Sequence, residues 1–224
     1  MAKPMSLPAE RRPYRRAGEE KRREDLIAAA MALVAEGGPE AATVRAIAAR
    51  AGVTPGLIRH YFSSKEELTH AAYRQVMDQM TAEAIRASES VADDEPVARL
   101  GAFVAANFLP PVMTPLLVGV WAGYMHLGRN DPAMHEIHET TYLGYRDRLQ
   151  DLIAALPRPA DPARDRREAI ACNALIDGLW IEGGSLPDSF ATGELLRIAL
   201  DGVAAMLGIR FPAATYDHVE RKTD

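Results

Sequence analysis

The segment 43–65 constrains the fold of this chain more than any other stretch of its sequence. Apolar residues recur in it at helical spacing after Thr43, a good N-cap residue, and this pattern predicts a short first helix. Gly52 allows the positive φ of a sharp turn, and Thr54 with Pro55 predicts the start of a second helix. Two short helices around such a turn either place a recognition helix in the major groove of DNA or form an ordinary hairpin of an all-α core.

The charges are divided unevenly along the chain. Residues 1–65 carry 12 basic and 7 acidic side chains, a net charge of +5, whereas the remaining residues carry 14 and 24, a net charge of −10. Neutralisation of phosphates contributes much of the affinity of proteins for DNA. A basic N-terminal part joined to an acidic remainder therefore favours the DNA-binding interpretation of the turn.

Together with the aromatic pair Tyr61-Phe62 and the Ser-Ser-Lys-Glu-Glu-Leu that follows at 63–68, the segment resembles the N-terminal domain of the TetR family of bacterial repressors. The resemblance covers about residues 22–70 and implies a helix-turn-helix domain of three helices that binds a double-stranded DNA operator. Arg59 departs from the family pattern, because many members have Tyr in the middle of the recognition helix. An arginine there can pair with guanine or contact a phosphate without reading sequence, and both roles stay open.

The predicted DNA contacts are nine residues at the ends and on the outer side of the two helices. Hydroxyls at helix N-termini suit phosphate oxygens, although each threonine can also serve as a cap alone. A glycine lets the second helix approach the duplex closely, and basic side chains neutralise phosphates. The nine residues are Thr43, Arg45, Thr54, Pro55, Gly56, Leu57, Arg59, Tyr61 and Lys65.

The apolar pattern is helical throughout and predicts an all-α fold in four parts. Residues 1–18 are rich in proline and arginine without an apolar period, which predicts a disordered basic arm. A helix-turn-helix domain at 19–66, a helical ligand-binding and dimerisation domain at 67–210 and a C-terminal tail at 211–224 are expected to follow. After the first domain, helices are expected at 65–89, 97–108, 114–128, 131–155, 164–182 and 192–207.

Apolar stripes on the last two predicted helices favour either packing within the chain or pairing with a second copy. Periodicity cannot separate these alternatives. The resemblance implies a homodimer formed through these helices, so that two recognition helices read a pseudo-palindromic operator. The stripes consist of Ile170, Ala174, Leu175, Gly178 and Leu179 on one helix and of Leu196, Ala199, Leu200, Val203, Met206 and Leu207 on the other, with Ala199, Gly202 and Ala205 small enough for close approach.

The segments VWAGYMH at 120–126 and ALIDGLW at 174–180 resemble the ligand domain of BetI-like members of the family, the choline-responsive repressors. The resemblance implies a small-molecule inducer, which is choline or another small cationic or apolar compound. Aromatic faces and a carboxylate attract a quaternary ammonium ion, although aromatic residues of apolar helices usually belong to the core. The candidate ligand-binding residues are Trp121, Tyr124, Asp177 and Trp180, followed by Phe103, Asn107, Phe108 and Tyr142.

Two other interpretations belong to different classes of protein. His135, His138 and Glu139 are spaced for one side of a helix, and His126 and Asp131 precede them, which is compatible with a metal site. The spacing lacks the two-histidine i, i+4 motif of zinc hydrolases, so a solvated helix face is preferred and no metal or cofactor is predicted. A DNA-binding or architectural protein that senses no ligand is the other alternative, but it would not require so long an apolar second domain.

Further sequence features limit the class of protein. The chain has no G-x-S-x-G motif, no P-loop and no G-x-G-x-x-G fingerprint, so an enzyme is not expected. Cys172 is the only cysteine, which rules out an internal disulfide and suits a reducing compartment. No signal-peptide core is present, and the apolar stretch at 114–128 is too short to span a bilayer. We therefore expect a cytoplasmic protein without a membrane partner.

Overall fold

The structure, a computed structural model, describes residues 12–127 and 130–216, and every regular element in these two ranges is helical. The all-α fold predicted from the sequence is thereby confirmed. None of the helices in this part of the chain combines the length and apolar character that a bilayer crossing requires. The helices are α1 (Arg12–Gly37), α2 (Val44–Arg50), α3 (Pro55–Tyr61), α4 (Lys65–Glu89), α5 (Pro96–Ala106), α6 (Pro115–Leu127), α7 (Pro132–Ala154), α8 (Pro162–Ser185), α9 (Glu194–Leu207) and α10 (Ala213–Tyr216), with short 3-10 turns at Pro39–Ala41 and Pro187–Ser189.

Prolines and capping side chains fix where most of the helices begin. Helices α3, α5, α6, α7 and α8 each start with a proline, whose missing N–H costs nothing in the first turn. Asp131 caps α7, because its Oδ1 accepts hydrogen bonds from the N–H groups of Ala133 and Met134 at 3.0 and 3.1 Å. Asp161 caps α8 by accepting the N–H of Arg164 at 2.9 Å. These local signals explain why the predicted boundaries lie within a few residues of the observed ones.

Two hydrophobic clusters form the interior, and α4 passes from one to the other. The first cluster joins α1, α2 and α3 to the first half of α4 and to α6, with Ile47, Ile58 and Leu68 among its buried members. The second joins α5, the end of α4, the second half of α7, α8 and α9. Because α4 starts at Lys65 and α1 packs against α6, the boundary predicted between residues 66 and 67 falls inside a helix and a shared core.

Both ends of the chain are more structured than predicted. Helix α1 starts at Arg12, so the prediction of a disordered arm is wrong for residues 12–18, while 1–11 lie outside the described residues. The prediction of a tail is wrong for 211–216, because Phe211 and Thr215 are buried against α5. Gly101 makes room for them, since a Cβ there would lie 2.7 Å from Thr215 Cγ2 and 2.9 Å from Phe211 Cδ1. Residues 217–224 lie outside the described part.

Most of the apolar stripe predicted on α9 is packed inside the protomer. A side chain that lies in the core of its own protomer is not available to a second copy, so these five residues follow the first of the two alternatives, packing within the chain. The large apolar side chains that stay exposed on the last two long helices are Ile170 on α8 and Ile198 and Met206 on α9. The five buried residues are Leu196, Ala199, Leu200, Val203 and Leu207.

Candidate DNA-binding surface and ligand cavity

The turn between α2 and α3 is held by backbone and core contacts. Gly52 has a φ of +65°, and the Val53 N–H donates to the Ala48 carbonyl at 2.9 Å, which closes the turn. Ile58 of α3 and Phe62, directly after the helix, are both buried in the first cluster. One side of α3 is therefore anchored to the protein, and its other side remains at the surface.

The nine residues predicted to contact DNA all lie at this surface. None of them is buried, and the three that are half-buried still present part of their side chains to the outside. The arrangement permits contact between each of the nine and a nucleic acid. Thr43, Arg45, Thr54, Pro55, Gly56 and Arg59 are exposed, and Leu57, Tyr61 and Lys65 are half-buried.

Two arginines of the surface have no ion-pair partner among the described residues, namely Arg45 of α2 and Arg59 of α3. By contrast, the Arg50 guanidinium donates two hydrogen bonds to the Glu36 carboxylate at 2.6 and 2.7 Å. The Arg23 guanidinium lies 5.0 Å from the centre of the Phe62 ring. Arg45 and Arg59 can pair with phosphate or guanine without first breaking an ion pair within the protein. They are therefore the arginines of the described surface best placed to contact DNA.

The two threonines at this surface differ in how their hydroxyls are used. Thr43 Oγ1 accepts a hydrogen bond from the Ala46 N–H at 3.1 Å, so this hydroxyl stabilises the start of α2. The Thr54 hydroxyl makes no capping hydrogen bond at the start of α3. It is consequently the more available of the two for a partner outside the protein.

The motif Ser-Ser-Lys-Glu-Glu-Leu forms a reciprocal cap at the start of α4. Ser64 Oγ accepts a hydrogen bond from the Glu67 N–H at 3.1 Å, and the Glu67 carboxylate accepts bonds from the N–H and the hydroxyl of Ser63, both at 2.6 Å. The bonds from Ser63 lower the pKa of the Glu67 carboxyl. This cap fixes Lys65 at the first position of α4, shortly after the end of α3.

A small cavity of about 40 Å³ with an aromatic and polar lining lies among the helices that follow the DNA-binding surface, and we call it the aromatic cavity. Its walls come from α4, α6, α7 and α8, with one residue after α5. Five of the eight candidate ligand residues meet there, although they are scattered over about 70 positions of the sequence. These five are Asn107, Trp121, Tyr142, Asp177 and Trp180, and the remaining lining residues are Met77, Met80, Thr81, Tyr145 and Ile181.

The two tryptophans of the chain face each other in this cavity. Their ring centroids are 5.8 Å apart and the ring planes form an angle of 85°, which is an edge-to-face contact. The Trp180 Nε1–H donates to the Val112 carbonyl at 3.4 Å, and this bond helps to fix the buried ring. Trp121 on α6 is half-buried. Aromatic surface of this kind attracts a cation through the ring quadrupole.

A carboxylate held by two polar side chains completes the lining. The Tyr142 hydroxyl donates to Asp177 Oδ2 at 2.6 Å, and Asn173 Nδ2 donates to the Tyr142 oxygen at 2.6 Å and to Asp177 Oδ2 at 3.1 Å. Burial raises the pKa of Asp177, and the bonds from Tyr142 and Asn173 oppose that rise. The sequence analysis missed Asn173, although its position four residues before Asp177 places both on one side of α8.

Three candidate ligand residues, Tyr124, Phe103 and Phe108, do not line the aromatic cavity. Tyr124 is buried against Tyr73, with ring centroids 5.1 Å apart, and lines a different cavity of about 690 Å³. Phe103 is buried with its ring 5.0 Å from that of Tyr145. Phe108 lines an apolar cavity of about 390 Å³ near the connection between α8 and α9. The rings of Tyr124 and Phe103 thus pack against tyrosines and not against the tryptophans.

Of the two histidines on α7, His138 contacts a tyrosine of α4. His138 Nδ1 lies 2.6 Å from the Tyr73 hydroxyl, and burial together with the nearby His135 lowers the pKa of His138. Asp131, besides capping α7, bonds to His70 Nε2 of α4 at 2.6 Å, a partner that the sequence analysis missed. Among the described residues, no three histidine, cysteine or acidic side chains are grouped to hold a metal ion. The side chain of His126 lies outside them.

Comparison with known proteins identifies the family. A family model described as the C-terminal domain of BetI-type transcriptional repressors matches residues 96–208, and a model of bacterial regulatory proteins of the TetR family matches residues 26–72. The chain belongs to the TetR family of transcriptional regulators. It is a repressor of the BetI type, and the family and subgroup predicted from the sequence are confirmed. Regulators of this family bind DNA, form dimers and bind small molecules.

Individual members of the family match over most of the chain. The transcriptional regulator BetI of Burkholderia thailandensis is 33% identical over 85% of this chain and 96% of its own length. A transcriptional regulator of Pseudomonas aeruginosa PAO1 is similar in structure, with a TM-score of 0.76, 27% identity and coverage of 94% of this chain and 100% of that chain. A regulator of Saccharomonospora viridis, solved in complex with choline, has a TM-score of 0.70 at 19% identity and covers 82% of this chain and 96% of its own.

Proposed function

We propose that this TetR-family repressor binds a pseudo-palindromic operator as a homodimer and is released from it by a small organic cation that enters the aromatic cavity. The observation that carries the proposal is the meeting of Trp121, Trp180 and Asp177 in one cavity. Two aromatic rings and a carboxylate are the groups that bind a quaternary ammonium ion. A protein that only occupies DNA has no need of a carboxylate and two indoles that line the same cavity.

Choline is the first candidate for the cation. Its trimethylammonium group fits ring faces, each of which contributes about 0.5–2 kcal/mol, and its single positive charge compensates the charge of Asp177. The BetI-type family model over residues 96–208 supports the same choice. The relative from Saccharomonospora viridis binds choline in its own crystal structure and has the same fold.

The size of the aromatic cavity supports a link between ligand binding and the position of α4. At about 40 Å³, the cavity is much smaller than the roughly 300–1,000 Å³ typical of ligand pockets. A ligand therefore binds only if lining side chains move. Met77 and Met80 are the flexible ones, and both belong to α4, the helix that starts at Lys65 beside the DNA-binding surface. A cation that prefers the expanded state shifts the population towards it and away from the DNA-bound arrangement.

The proposed dimer uses the exposed apolar side chains of the last two long helices, which we call the α8–α9 face: Ile170, Ala174, Gly178, Ile198 and Met206. Ile170, Ile198 and Met206 are 41%, 43% and 46% exposed in the protomer. Small residues between them allow close approach of a second copy. Exposed large apolar side chains on two neighbouring helices are typical of a self-complementary interface. In such a dimer, a twofold axis relates the two copies of α3, which read half-sites about 34–36 Å apart.

At each half-site, we propose that α3 enters the major groove with Arg59 towards the bases. Thr43, Thr54 and Lys65 then lie near the phosphates on either side, and Arg45 contributes a further cation from α2. The exposed, unpaired guanidinium of Arg59 supports a role in base recognition, because a paired one would first have to break its ion pair.

The test is a fluorescence anisotropy titration of the purified full-length protein on labelled DNA from its own promoter region, with and without choline. We expect nanomolar binding to one promoter fragment and progressive release by choline. Tight binding that no small cation weakens would support the alternative, a constitutive DNA-binding protein. Absence of sequence-specific binding, with a non-promoter fragment as the control, would contradict the proposal as a whole.

A further inference from the structure

One tyrosine hydroxyl at the aromatic cavity has no hydrogen-bond partner. Among the described residues, the buried hydroxyls of Tyr124 and Tyr145 both lack one. Tyr145 lines the aromatic cavity and is only 8% exposed, whereas Tyr124 lies outside it. A buried hydroxyl without a partner has lost its hydrogen bonds to water without replacement, which costs free energy. A ligand with a hydrogen-bonding group can recover this loss at Tyr145.

The neighbours of Tyr145 hold its ring and do not satisfy its hydroxyl. The Phe103 ring packs against the Tyr145 ring at 5.0 Å. The Asn107 amide is close enough to oppose the rise in the pKa of Tyr145, but its nitrogen donates to the carbonyls of Phe103 and Val104 at 2.9 and 3.2 Å. No hydrogen bond of normal geometry joins Asn107 to Tyr145. The ring is therefore held in place, and the hydroxyl has no hydrogen-bond partner of normal geometry within the described part of the protein.

The charge on Asp177 limits which group of a ligand can bind at the Tyr145 hydroxyl. Burial is the main reason for the raised pKa of Tyr145, and the negative charge of Asp177 raises it further. The electrostatic potential of Asp177 thus reaches the Tyr145 hydroxyl, and a second anionic group placed at that hydroxyl would be repelled. A neutral hydroxyl or carbonyl group does not meet this repulsion.

We propose that Tyr145 determines the specificity of the aromatic cavity by hydrogen-bonding a neutral hydroxyl or carbonyl group of the bound cation. Asp177 and the two tryptophans bind the ammonium end, and Tyr145 binds the other end. The ligand class is a short cation with one neutral polar group, such as an amino alcohol, in preference to a tetraalkylammonium ion or to a zwitterion with its own carboxylate. This inference rests on the proposed function, because it assigns a second contact within the same cavity.

The experiment compares Tyr145→Phe with the wild type and with Tyr124→Phe, which removes the other unpaired buried hydroxyl outside the cavity. Because both tryptophans of the chain line the aromatic cavity, intrinsic fluorescence at neutral pH reports binding of choline, tetramethylammonium and glycine betaine. We expect Tyr145→Phe to reduce the ratio of choline to tetramethylammonium affinity about fivefold, as expected for one neutral hydrogen bond. Tyr124→Phe should keep the wild-type ratio, and glycine betaine should bind the wild type more weakly than choline does.

Each outcome separates this inference from the proposed function. If the wild type binds neither choline nor tetramethylammonium, the proposed function fails and the inference fails with it. If the wild type binds choline but Tyr145→Phe leaves the affinity ratio as it was, only the inference is wrong. Thermal unfolding without ligand provides the structural control, because loss of an unpaired hydroxyl should not lower the melting temperature. A clear drop would show that Tyr145 is bonded within the protein and would overturn the inference.

Discussion

Asp177→Asn is the substitution that tests the ligand cavity most directly, because it removes one charge and keeps the shape of the side chain. The Asp177 carboxylate accepts hydrogen bonds from Tyr142 and Asn173, and an asparagine oxygen can still accept from Tyr142. At about 4 Å, two unit charges attract each other by about 4 kcal/mol at an effective dielectric constant of about 20. Desolvation of the cation offsets part of this attraction. We therefore expect choline affinity to fall about 50-fold, which corresponds to about 2.3 kcal/mol.

The pH dependence of choline affinity provides a second test of the charge on Asp177. Burial raises the pKa of Asp177, so the carboxylate becomes protonated as the pH falls through this raised value, and choline affinity declines with it. In Asp177→Asn this decline should be absent. The free energy of unfolding changes with pH in the opposite direction to choline affinity. A raised pKa in the folded state means that the folded protein holds this proton more tightly than the unfolded chain does. The stabilising contribution is complete below the ordinary pKa of aspartate, about 3.9, and is lost as the pH rises through the raised pKa.

The assay is titration of choline against the intrinsic fluorescence of the two tryptophans at several pH values, combined with thermal unfolding at neutral pH. Partial burial disfavours the charged form of Asp177 and raises its pKa, so Asp177→Asn, which carries no charge, should unfold at an equal or higher temperature without ligand. Unchanged choline affinity in Asp177→Asn would refute the assigned role of the carboxylate. A large fall in melting temperature would show that the charge has a structural role instead.

Three further substitutions test the other surfaces. Arg59→Ala should relax specificity at one base pair of each half-site by about 1–3 kcal/mol, measured by competition with single-base operator variants; equal weakening on all sequences would make Arg59 a phosphate contact. Lys65→Ala should weaken binding to every sequence and reduce the slope of log K against log[salt] by about 1, so an unchanged slope removes it from the phosphate interface. Ile198→Glu should yield monomers in analytical ultracentrifugation and weaken operator binding, whereas the equally exposed Leu116→Glu on α6 should remain dimeric.

The sequence predicted the helices well wherever their ends carry local signals. Asp131 and Asp161 precede prolines, and these N-terminal pairs placed α7 and α8 within a few residues. The order of residues 12–18 and 211–216 was not predictable in the same way, because it depends on tertiary context. A segment of four residues such as α10 has no periodicity, and only the room that Gly101 leaves on α5 shows where it packs.

The apolar stripe of α9 shows a second limit. Period 3.6 identifies the side of a helix that avoids water, but a protomer core and a dimer interface satisfy it equally. Leu200 and Val203 are completely buried within the protomer, while Ile198 and Met206, on the other side of the same helix, stay exposed. Only the packing of α8 against α9 separates the two sides. The choice between them could not be made from the sequence.

The candidate ligand site was predicted in part for a comparable reason. Trp121 and Tyr124 are three residues apart, and this spacing separates them by about 60° around the axis of α6. That angle is enough for Trp121 to face Trp180 on α8 and for Tyr124 to face Tyr73 on α4. Residue types indicated which side chains can bind a cation, but the directions of neighbouring helices decided which of them meet.

Besides the α4 residues in its lining, the aromatic cavity is joined to α4 by a chain of ring and hydrogen-bond contacts. The Tyr142 ring, which lines the cavity, lies 5.3 Å from the His138 ring, and His138 Nδ1 lies 2.6 Å from the Tyr73 hydroxyl on α4. Met77, one turn further along α4, lines the cavity itself. A ligand that displaces either Tyr142 or Met77 therefore acts on the same helix, and that helix begins at Lys65 in the DNA-binding surface. If α4 moves as a nearly rigid body, the proposed coupling predicts that substitutions at Tyr73 or Met77 weaken the release of DNA by choline without weakening operator binding.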